Sequence, residues 1–236
     1  MARTPIWKSI AATLSGEIGE GLYLPGDKLP TEAQLASRFG VNRHTVRHAL
    51  SDLVEQGIVH TRRGAGAFVA QRPTDYPIGK RVRFHQNVAA AGRTPTKQVL
   101  SFETRLASPA ERVALALEEG DQVHAYEGLS LADGQPIALF QSVFPAARFP
   151  DLRDTLQVSG SVTAALQAAG VTDYTRASTR LTAKTATATQ ALHLRIAEGA
   201  PILRSVGINV DVNGTPVEYG RSWFAGDRVT LTLGEG

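Results

Sequence analysis

Residues 39–50 read Phe39-Gly40-Val41-Asn42-Arg43-His44-Thr45-Val46-Arg47-His48-Ala49-Leu50, a stretch in which a tight turn joins two helical patterns. Gly40 and Val41 end the first pattern, and Asn42 has a side chain suited to cap the next helix. The predicted buried face of that helix consists of apolar residues three or four positions apart, namely Val46, Leu50, Leu53 and Val54. The stretch therefore predicts two helices joined by a turn.

Patterns on both sides of this stretch complete a small domain. Upstream, apolar residues recur every fourth position from residue 6 to residue 18, which indicates an amphipathic opening helix. Thr31 offers a capping side chain for a short second helix. Downstream, residues 58–69 read as two short strands around a glycine-containing turn. We predict a winged helix-turn-helix over residues 1–70.

The third helix of this domain carries residue types that read DNA. Its N-terminal end fits a major groove about 12 Å wide, with its first residues facing the base edges. Arg43 and Arg47 lie four residues apart on one side of the helix, where they can reach guanine or phosphate. Asn42 and Thr45 are short hydrogen-bonding side chains near the same end.

The predicted hairpin carries a second basic group. Arg62 and Arg63 lie on this wing, where Gly64 and Gly66 let the backbone approach DNA closely. The alternative is that the arginines of the helix and the wing are solvated surface charges.

The composition excludes several classes of protein. The chain has 236 residues, 25 Lys and Arg against 22 Asp and Glu, and no Cys. Without Cys there is no disulfide scaffold, thiolate metal site, iron–sulfur cluster or cysteine nucleophile. No stretch has the pattern of a signal peptide or of a membrane span, so we expect a soluble cytoplasmic protein. Catalytic and metal-binding motifs are also missing, so no enzyme, catalytic residue, metal or cofactor is predicted.

The chain changes character after the first domain. Residues 71–82 contain Pro73 and Pro77 without an apolar period, and we interpret them as a linker. From residue 83 to residue 236, strand patterns alternate with helical ones at residues 85–91, 109–118, 161–169 and 186–196. The second domain is therefore predicted to be α+β.

A weak internal repeat runs through the second domain. Residues 119–123, 128–131 and 133–137 match residues 198–202, 207–210 and 213–217, and the offset grows from 79 to 80. Each half contains an Asp-Gly or Asn-Gly tight-turn signal between two apolar runs, in which both central residues need positive φ. We predict one antiparallel sheet built from two halves, each helix, strand, tight turn and strand, with a ligand site in the crevice between them.

The first domain resembles the DNA-binding domain of the GntR family of bacterial transcription regulators. The resemblance rests on residues 29–32, 39–50 and 63–69 and covers the whole domain. It implies DNA contacts by Asn42, Arg43, His44, Thr45, Arg47, Arg63 and Gly64. In one departure, Ala33 follows Glu32 where some members of the family have an arginine, so one contact to DNA is in doubt.

The second domain resembles the HutC-type subfamily, and within it the regulators of phosphonate metabolism, at residues 72–77, 83–87, 177–181 and 217–219. The resemblance implies a UTRA effector-binding domain, similar in fold to chorismate lyase, with an antiparallel sheet and helices. It also implies a homodimeric repressor that binds a two-fold DNA operator, whose affinity for that operator changes when a small molecule binds.

The effector site is inferred from the same resemblance. The loop at residues 83–87 is expected to offer backbone N–H groups, with the Arg83 guanidinium beside them, to a phosphate or phosphonate. The expected effector-binding residues are Arg83, Phe84, Asn87, Ser161, Arg180 and Glu218. Three of these residues also have a purely structural interpretation: Ser161 as a helix cap, Arg180 as a surface charge and Glu218 as an outward-facing residue of a strand.

Two alternatives accompany this interpretation. Relatives that respond to sugar phosphates carry arginines where this chain has Gly128 and Ser130, so a sugar phosphate is not favoured. The chain could also be an architectural, sequence-independent DNA-binding protein whose second domain only dimerises. A net charge of +3 argues weakly against it, because binding without base readout uses a larger positive surface.

Overall fold

The computed structural model describes residues 5–62, 64–70, 73–81 and 83–233, with the side chain of Arg62 left out. The chain divides into two compact units, Met1–Arg72 and Pro73–Gly236. In the part of the chain that is described, no helix is long and apolar enough to cross a membrane.

The first unit has the order helix, helix, helix, strand, strand. Its elements are α1 (Ile6–Gly19), α2 (Glu32–Phe39), α3 (Arg43–Glu55), β1 (Val59–Arg62) and β2 (Gly66–Val69). The strands β1 and β2 form an antiparallel hairpin, and Lys28 adds a single bridge to Phe68. This is the winged helix-turn-helix that the sequence predicted.

Capping residues fix the start of α2 and the turn between α2 and α3. The Thr31 side chain accepts from the Gln34 backbone N–H, and the Gln34 side chain accepts from the Thr31 N–H in return. Gly40 ends α2 in the left-handed conformation with φ 64°, and Asn42 Oδ1 accepts from the Thr45 N–H at 2.9 Å. The orphan backbone groups at both ends of the turn are thereby paired within a few residues.

The predicted buried face of α3 needs one correction. Val46, Leu50 and Leu53 are buried, but Val54 is 37% exposed and Ala49 takes its place in the core. At 3.6 residues per turn, residue 49 stays on the stripe of residues 46, 50 and 53, whereas residue 54 has rotated off it.

The second unit is α+β, as the sequence predicted. Its elements are β3 (Thr74–Pro77), α4 (Phe84–Ala90), β4 (Pro95–Leu106), α5 (Pro109–Leu115), β5 (Gln122–Ala132), β6 (Gln135–Pro145), α6 (Leu152–Ser159), α7 (Val162–Ala168), β7 (Tyr174–Thr185), α8 (Ala188–Leu194), β8 (Pro201–Asp211), β9 (Pro216–Ala225) and β10 (Val229–Thr232). Six of these strands form one antiparallel sheet in the order β4-β5-β6-β9-β8-β7. The sequence analysis did not predict α6.

The internal repeat is visible in the sheet. Each half consists of a long edge strand, a helix and a hairpin: β4, α5, β5 and β6 in the first, and β7, α8, β8 and β9 in the second. The long edge strand was not part of the predicted repeat. The halves meet at β6 and β9. Even the helix ends correspond, because Ala116 and Arg195, 79 residues apart, end α5 and α8 with φ of 53° and 52°.

The two tight turns differ by one residue. In the first hairpin Asp133 and Gly134 both have positive φ, as predicted. In the second only Gly214 does, so the expectation for Asn213 was wrong. This turn contains an additional residue, and the Asp211 N–H donates to the Thr215 carbonyl across the longer loop. The growth of the offset from 79 to 80 is accommodated here.

Helices cover the sheet on its two faces. On one face α8 packs Ala191 and Leu194 against Leu129 and Leu139 of the central strands. On the other face α6 and α7 pack around Phe140 and neighbouring apolar residues. The functional cavity described below opens on this second face.

The segment interpreted as a linker contains ordered structure. Within residues 71–82, β3 pairs in parallel with β10 near the end of the chain. The Asn87 amide of α4 donates to the Pro77 carbonyl at 3.0 Å and holds the end of β3. Gln71, Arg72 and Val82 lie outside the described residues. At least residues 74–77 are therefore part of the second unit.

The buried Glu111 carboxylate of α5 forms ion pairs with two strands of the sheet. Glu111 is 1% exposed and contacts Arg105 at 2.8 Å and Arg221 at 3.0 Å, from β4 and β9. The hydrogen bonds from Arg105 lower the pKa of Glu111 to about 2.

We expect Glu111→Gln to lower the free energy of unfolding by about 2–3 kcal/mol at pH 7, because two guanidinium groups lose their anion. The unfolded carboxyl titrates near 4.5, so the wild-type advantage is complete above that pH and disappears as the pH falls toward 2. Urea unfolding at pH 7 and pH 3 measures it, with the exposed Glu119→Gln as the control. An equal loss of stability at both pH values would contradict this account.

Candidate functional site

The N-terminal half of α3 exposes several of the side chains that the sequence assigned to DNA. Arg43, His44 and Arg47 are exposed. Asn42 and Thr45 are engaged with each other, since Asn42 Oδ1 accepts from both the Thr45 N–H and the Thr45 hydroxyl, the latter at 3.0 Å. Their polar atoms fix the start of the helix, and Arg43 and His44 are presented beside it.

Arg47 is held by a residue that the sequence analysis did not assign a role. Its Nε and Nη2 donate to the two carboxylate oxygens of Glu32 at 3.0 and 2.8 Å, a bidentate pair between α3 and α2. These hydrogen bonds lower the pKa of Glu32. Arg43 has no such contact described and differs from Arg47 in this respect.

The wing presents its backbone as predicted for a hairpin tip. Gly64 is exposed with φ 75°, and Gly66 has φ 108°. A Cβ on Gly66 would stand 3.1 Å from the Lys28 side chain. Arg62 belongs to β1, but its side chain and all of Arg63 lie outside the described residues.

A cavity of about 320 Å³ lies in the second unit, between the sheet and the first residues of α4 and α7. Its floor is formed by small residues of the central strands, which leave space above the sheet. They are Ser130, Ala138, Ser142, Ser205, Gly220 and Ser222. Small side chains at these positions create room for a ligand where larger ones would fill a core.

Lys97 enters the cavity from the edge strand β4. Its ammonium lies 4.7 Å from the centroid of the Phe140 ring and 5.7 Å from that of Phe84. Burial lowers the pKa of Lys97 to about 8, against the smaller opposing effect of the Glu218 carboxylate. The cavity thus holds a desolvated amine that an anion would stabilise in its charged form.

Arg176 enters from the opposite edge strand, β7, and lies over Gly207. A Cβ on Gly207 would stand 1.5 Å from Arg176 Nη1, so the guanidinium occupies this position only because residue 207 has no side chain. The Nε of Arg176 is buried and has no hydrogen-bond partner among the described residues. A buried donor without a partner is costly, and an acceptor on a ligand would satisfy it.

Arg83, the residue before α4, also lines the cavity. Its Nη2 donates to Asp173 at 3.0 Å and to the Tyr174 carbonyl at 3.2 Å, and the guanidinium stacks 3.7 Å from the Tyr174 ring centroid. Its Nη1 is buried with no partner in the part of the chain that is described. Asp173 also pairs with Arg81 at 2.5 Å, so one carboxylate is shared by two guanidinium groups, and it fixes the position of Arg83 without cancelling its charge.

Glu218 is the carboxylate of the cavity. It is 9% exposed, and its two oxygens accept from Ser142 Oγ and from Asn209 Nδ2, each at 2.6 Å. Both donors are neutral. Neighbouring strands supply them, β6 on one side and β8 on the other, which fixes the carboxylate against the floor.

The structure brings together four of the six expected effector residues. Arg83, Phe84, Ser161 and Glu218 line the cavity, and Ser161 also caps α7 by accepting from the Ala164 N–H. The Asn87 side chain does not line the cavity and instead donates a hydrogen bond to the Pro77 carbonyl at the end of β3. The sequence analysis missed Lys97, Arg176, Asn209 and Ser142.

Arg180 does not line the cavity, and the reason is a bulge. β7 shifts register between Arg176 and Ser178, so the strand turns Thr179 toward the cavity and leaves Arg180 exposed. A regular strand would have turned residues 176, 178 and 180 to one face. The repeat offers a signal for the missed cations, because Arg176 follows Lys97 by the same 79 residues.

Among the described residues no cluster of His, Asp or Glu could hold a metal ion.

The desolvated Lys97 ammonium generates a second prediction. We expect Lys97→Met to raise the free energy of unfolding at pH 7 by on the order of 2 kcal/mol, because the folded state no longer buries an ammonium. Wild-type stability should rise between pH 8 and 10.5, since the folded chain releases this proton before the unfolded chain does. The advantage of the variant should therefore narrow over that range.

Chemical unfolding at pH 7 and pH 10 measures this, with Lys184→Met as the matched control because Lys184 is exposed on β7. A Lys97→Met protein less stable than the wild type at pH 7 would contradict the prediction.

Two family descriptions match the chain. Residues 7–69 match bacterial regulatory proteins of the gntR family, and residues 90–230 match the UTRA domain. The first match covers the helices and the hairpin of the winged unit, and the second covers the repeated sheet and most of the residues that line the cavity, but not Arg83 and Phe84.

Full-length relatives agree with both matches. The chain is 36% identical to an uncharacterized HTH-type transcriptional regulator of Rhizobium meliloti, over 97% of this chain and 94% of the relative. It is also 36% identical to the probable transcriptional regulator PhnF of Escherichia coli, over 96% and 94%. The crystal structure of PhnF from Mycobacterium smegmatis superposes with a TM-score of 0.67 at 25% identity, over 98% and 99% of the two chains. The chain belongs to the GntR family of bacterial transcription regulators, as a HutC-type member with a UTRA domain, and not to a family of enzymes.

Proposed function

We propose that this regulator is a repressor that binds a two-fold operator as a homodimer, and that a small phosphonate or phosphate-like anion in the UTRA cavity changes its affinity for DNA. The genes it controls would serve phosphonate metabolism, as in the regulators it resembles. The observation that carries the effector assignment is the pair of buried guanidinium nitrogens, Arg83 Nη1 and Arg176 Nε, without partners among the described residues at the cavity.

The anion follows from the charges that line the cavity. Lys97 and Arg176 enter from opposite edges of the sheet, and no described ion pair neutralises either of them. Phosphonate and phosphate oxygens can each accept several hydrogen bonds, which suits guanidinium and ammonium donors arriving from different directions. An uncharged ligand could accept hydrogen bonds from these donors but would leave their positive charges uncompensated in the cavity.

DNA binding is proposed for the exposed face of α3 and the wing. Arg43 is free to reach a guanine, whereas Arg47 is oriented by Glu32 and can contact a phosphate from that position. One winged domain reads few base pairs, so two copies with recognition helices about 34 Å apart would read a two-fold operator.

The segment after the winged domain offers a route for coupling. Tyr76 and Ile78 line the cavity, and the Arg176 N–H donates to the Lys80 carbonyl at 2.8 Å. A ligand that draws on the Arg176 side chain therefore acts on a residue bonded to the chain that leads to the first unit. A coupling of about 1–3 kcal/mol would change operator affinity about 5 to 150-fold.

Arg43 tests the DNA assignment. We expect Arg43→Ala to weaken operator binding by about 1–3 kcal/mol and to relax base preference at one operator position, because one bidentate base contact is lost. Fluorescence anisotropy on a duplex from upstream of its own gene measures this, against excess random duplex. Arg153→Ala, an exposed arginine of α6, is the control.

An unchanged affinity of the Arg43→Ala protein would remove Arg43 from the interface. Loss of wild-type binding to random competitor DNA would favour the architectural alternative instead.

Gly207 tests the effector site without removing a charge. We expect Gly207→Ala to abolish the effect of phosphate and methylphosphonate on operator binding, because the added Cβ displaces the Arg176 guanidinium. The backbone at Gly207 is not in the left-handed region, so alanine fits the strand. The control is Gly16→Ala, where a Cβ meets nothing within 4 Å.

Operator affinity of the Gly207→Ala protein without ligand is measured in the same titration, so that a lost response to the anions is distinguished from lost DNA binding. A variant that still responds to the anions as the wild type does would place the effector site elsewhere.

A further inference from the structure

The two halves of the cavity are alike in their cations and differ in their charge at one further pair of positions. Lys97 and Arg176 occupy the same position of the two repeats, 79 residues apart. In the hairpins, where the offset is 80, Ala138 of β6 corresponds to Glu218 of β9. Ser130 and Phe140 likewise correspond to Asn209 and Gly220, but among the described lining residues a carboxylate stands in the second half alone.

The Glu218 carboxylate is not matched by a cation of the protein. Its two described hydrogen bonds come from neutral groups, Ser142 and Asn209. No described Lys, Arg or His forms an ion pair with it. The negative charge of Glu218 acts electrostatically on Lys97. The Lys97 ammonium nevertheless lies among the rings of Phe84, Tyr126 and Phe140.

A buried carboxylate with only neutral partners is expensive to maintain. The cost is removed if a ligand supplies the cation. A ligand hydroxyl could also donate to Glu218, but it would leave the negative charge uncompensated, whereas an ammonium would both donate and neutralise.

We propose that the effector is zwitterionic: an alkylphosphonate that also carries a primary amine, with the phosphonate between Lys97 and Arg176 and the amine on Glu218. This inference rests on the proposed anion site and adds the second recognition element. The small floor of the cavity leaves the space between the three groups open for a short alkyl chain.

Three ligands of equal heavy-atom number separate the possibilities. They are 2-aminoethylphosphonate, 2-hydroxyethylphosphonate and propylphosphonate, titrated calorimetrically into the full-length protein at pH 7. We expect the amine to bind about tenfold to a hundredfold more tightly than the other two, as a buried charge-assisted contact would give.

Glu218→Gln should remove the preference for the amine over the hydroxyl and propyl ligands. Glutamine retains the shape, and the Ser142 hydroxyl and the Asn209 amide can reorient to pair with it. Glu119→Gln, 93% exposed, is the matched control and should keep the preference. The unfolding midpoint and operator binding of each variant report folding.

The result that overturns the zwitterion is equal binding of all three ligands to the wild type, and this comparison needs no variant. Equal binding of the amine and the hydroxyl, both tighter than propyl, also overturns it and makes Glu218 an acceptor for any polar group. Absence of binding by all three overturns the proposed anion site as well, so the two failures are distinguishable.

Discussion

The antiparallel pairing of β6 with β9 is the constraint on which the second unit depends. It joins the two halves of the internal repeat, so that equivalent positions of the repeat lie on the same face of a single sheet. Lys97 and Arg176 lie 79 residues apart in the chain, yet both enter one cavity because the halves are related across this seam. The binding chemistry arises from the pairing and is not contained in any one segment.

The two faces of the sheet differ, because one is packed with apolar side chains and the other also holds the cavity. The face under α8 is packed with Leu129, Leu139, Leu194 and other apolar residues. The cavity face has glycine and serine on its floor and a lysine whose burial lowers its pKa. The cavity itself contributes little apolar packing to this face, and its buried charges oppose folding. The apolar face and the Glu111 network compensate for this cost.

The segment at residues 73–81 belongs structurally to the second unit and chemically to the cavity. β3 pairs with β10, Tyr76 and Ile78 line the cavity, and Lys80 accepts from the Arg176 backbone. The same segment continues the chain from the winged domain. The position of Arg176 is therefore connected by a backbone hydrogen bond to the segment at the start of this unit.

The sequence by itself determined the winged helix-turn-helix, the α+β class of the second domain and its repeat, because caps, turns and periodicity act between residues close in the chain. Thr31, Gly40 and Asn42 specify their helix ends with partners three or four residues away. Only the tertiary structure decided which charges meet. The bulge in β7 turns Thr179, and not Arg180, toward the cavity, and the hydrogen-bond partners of Glu218 come from different strands. Sheet register and bulges depend on long-range pairing, which a local pattern does not encode.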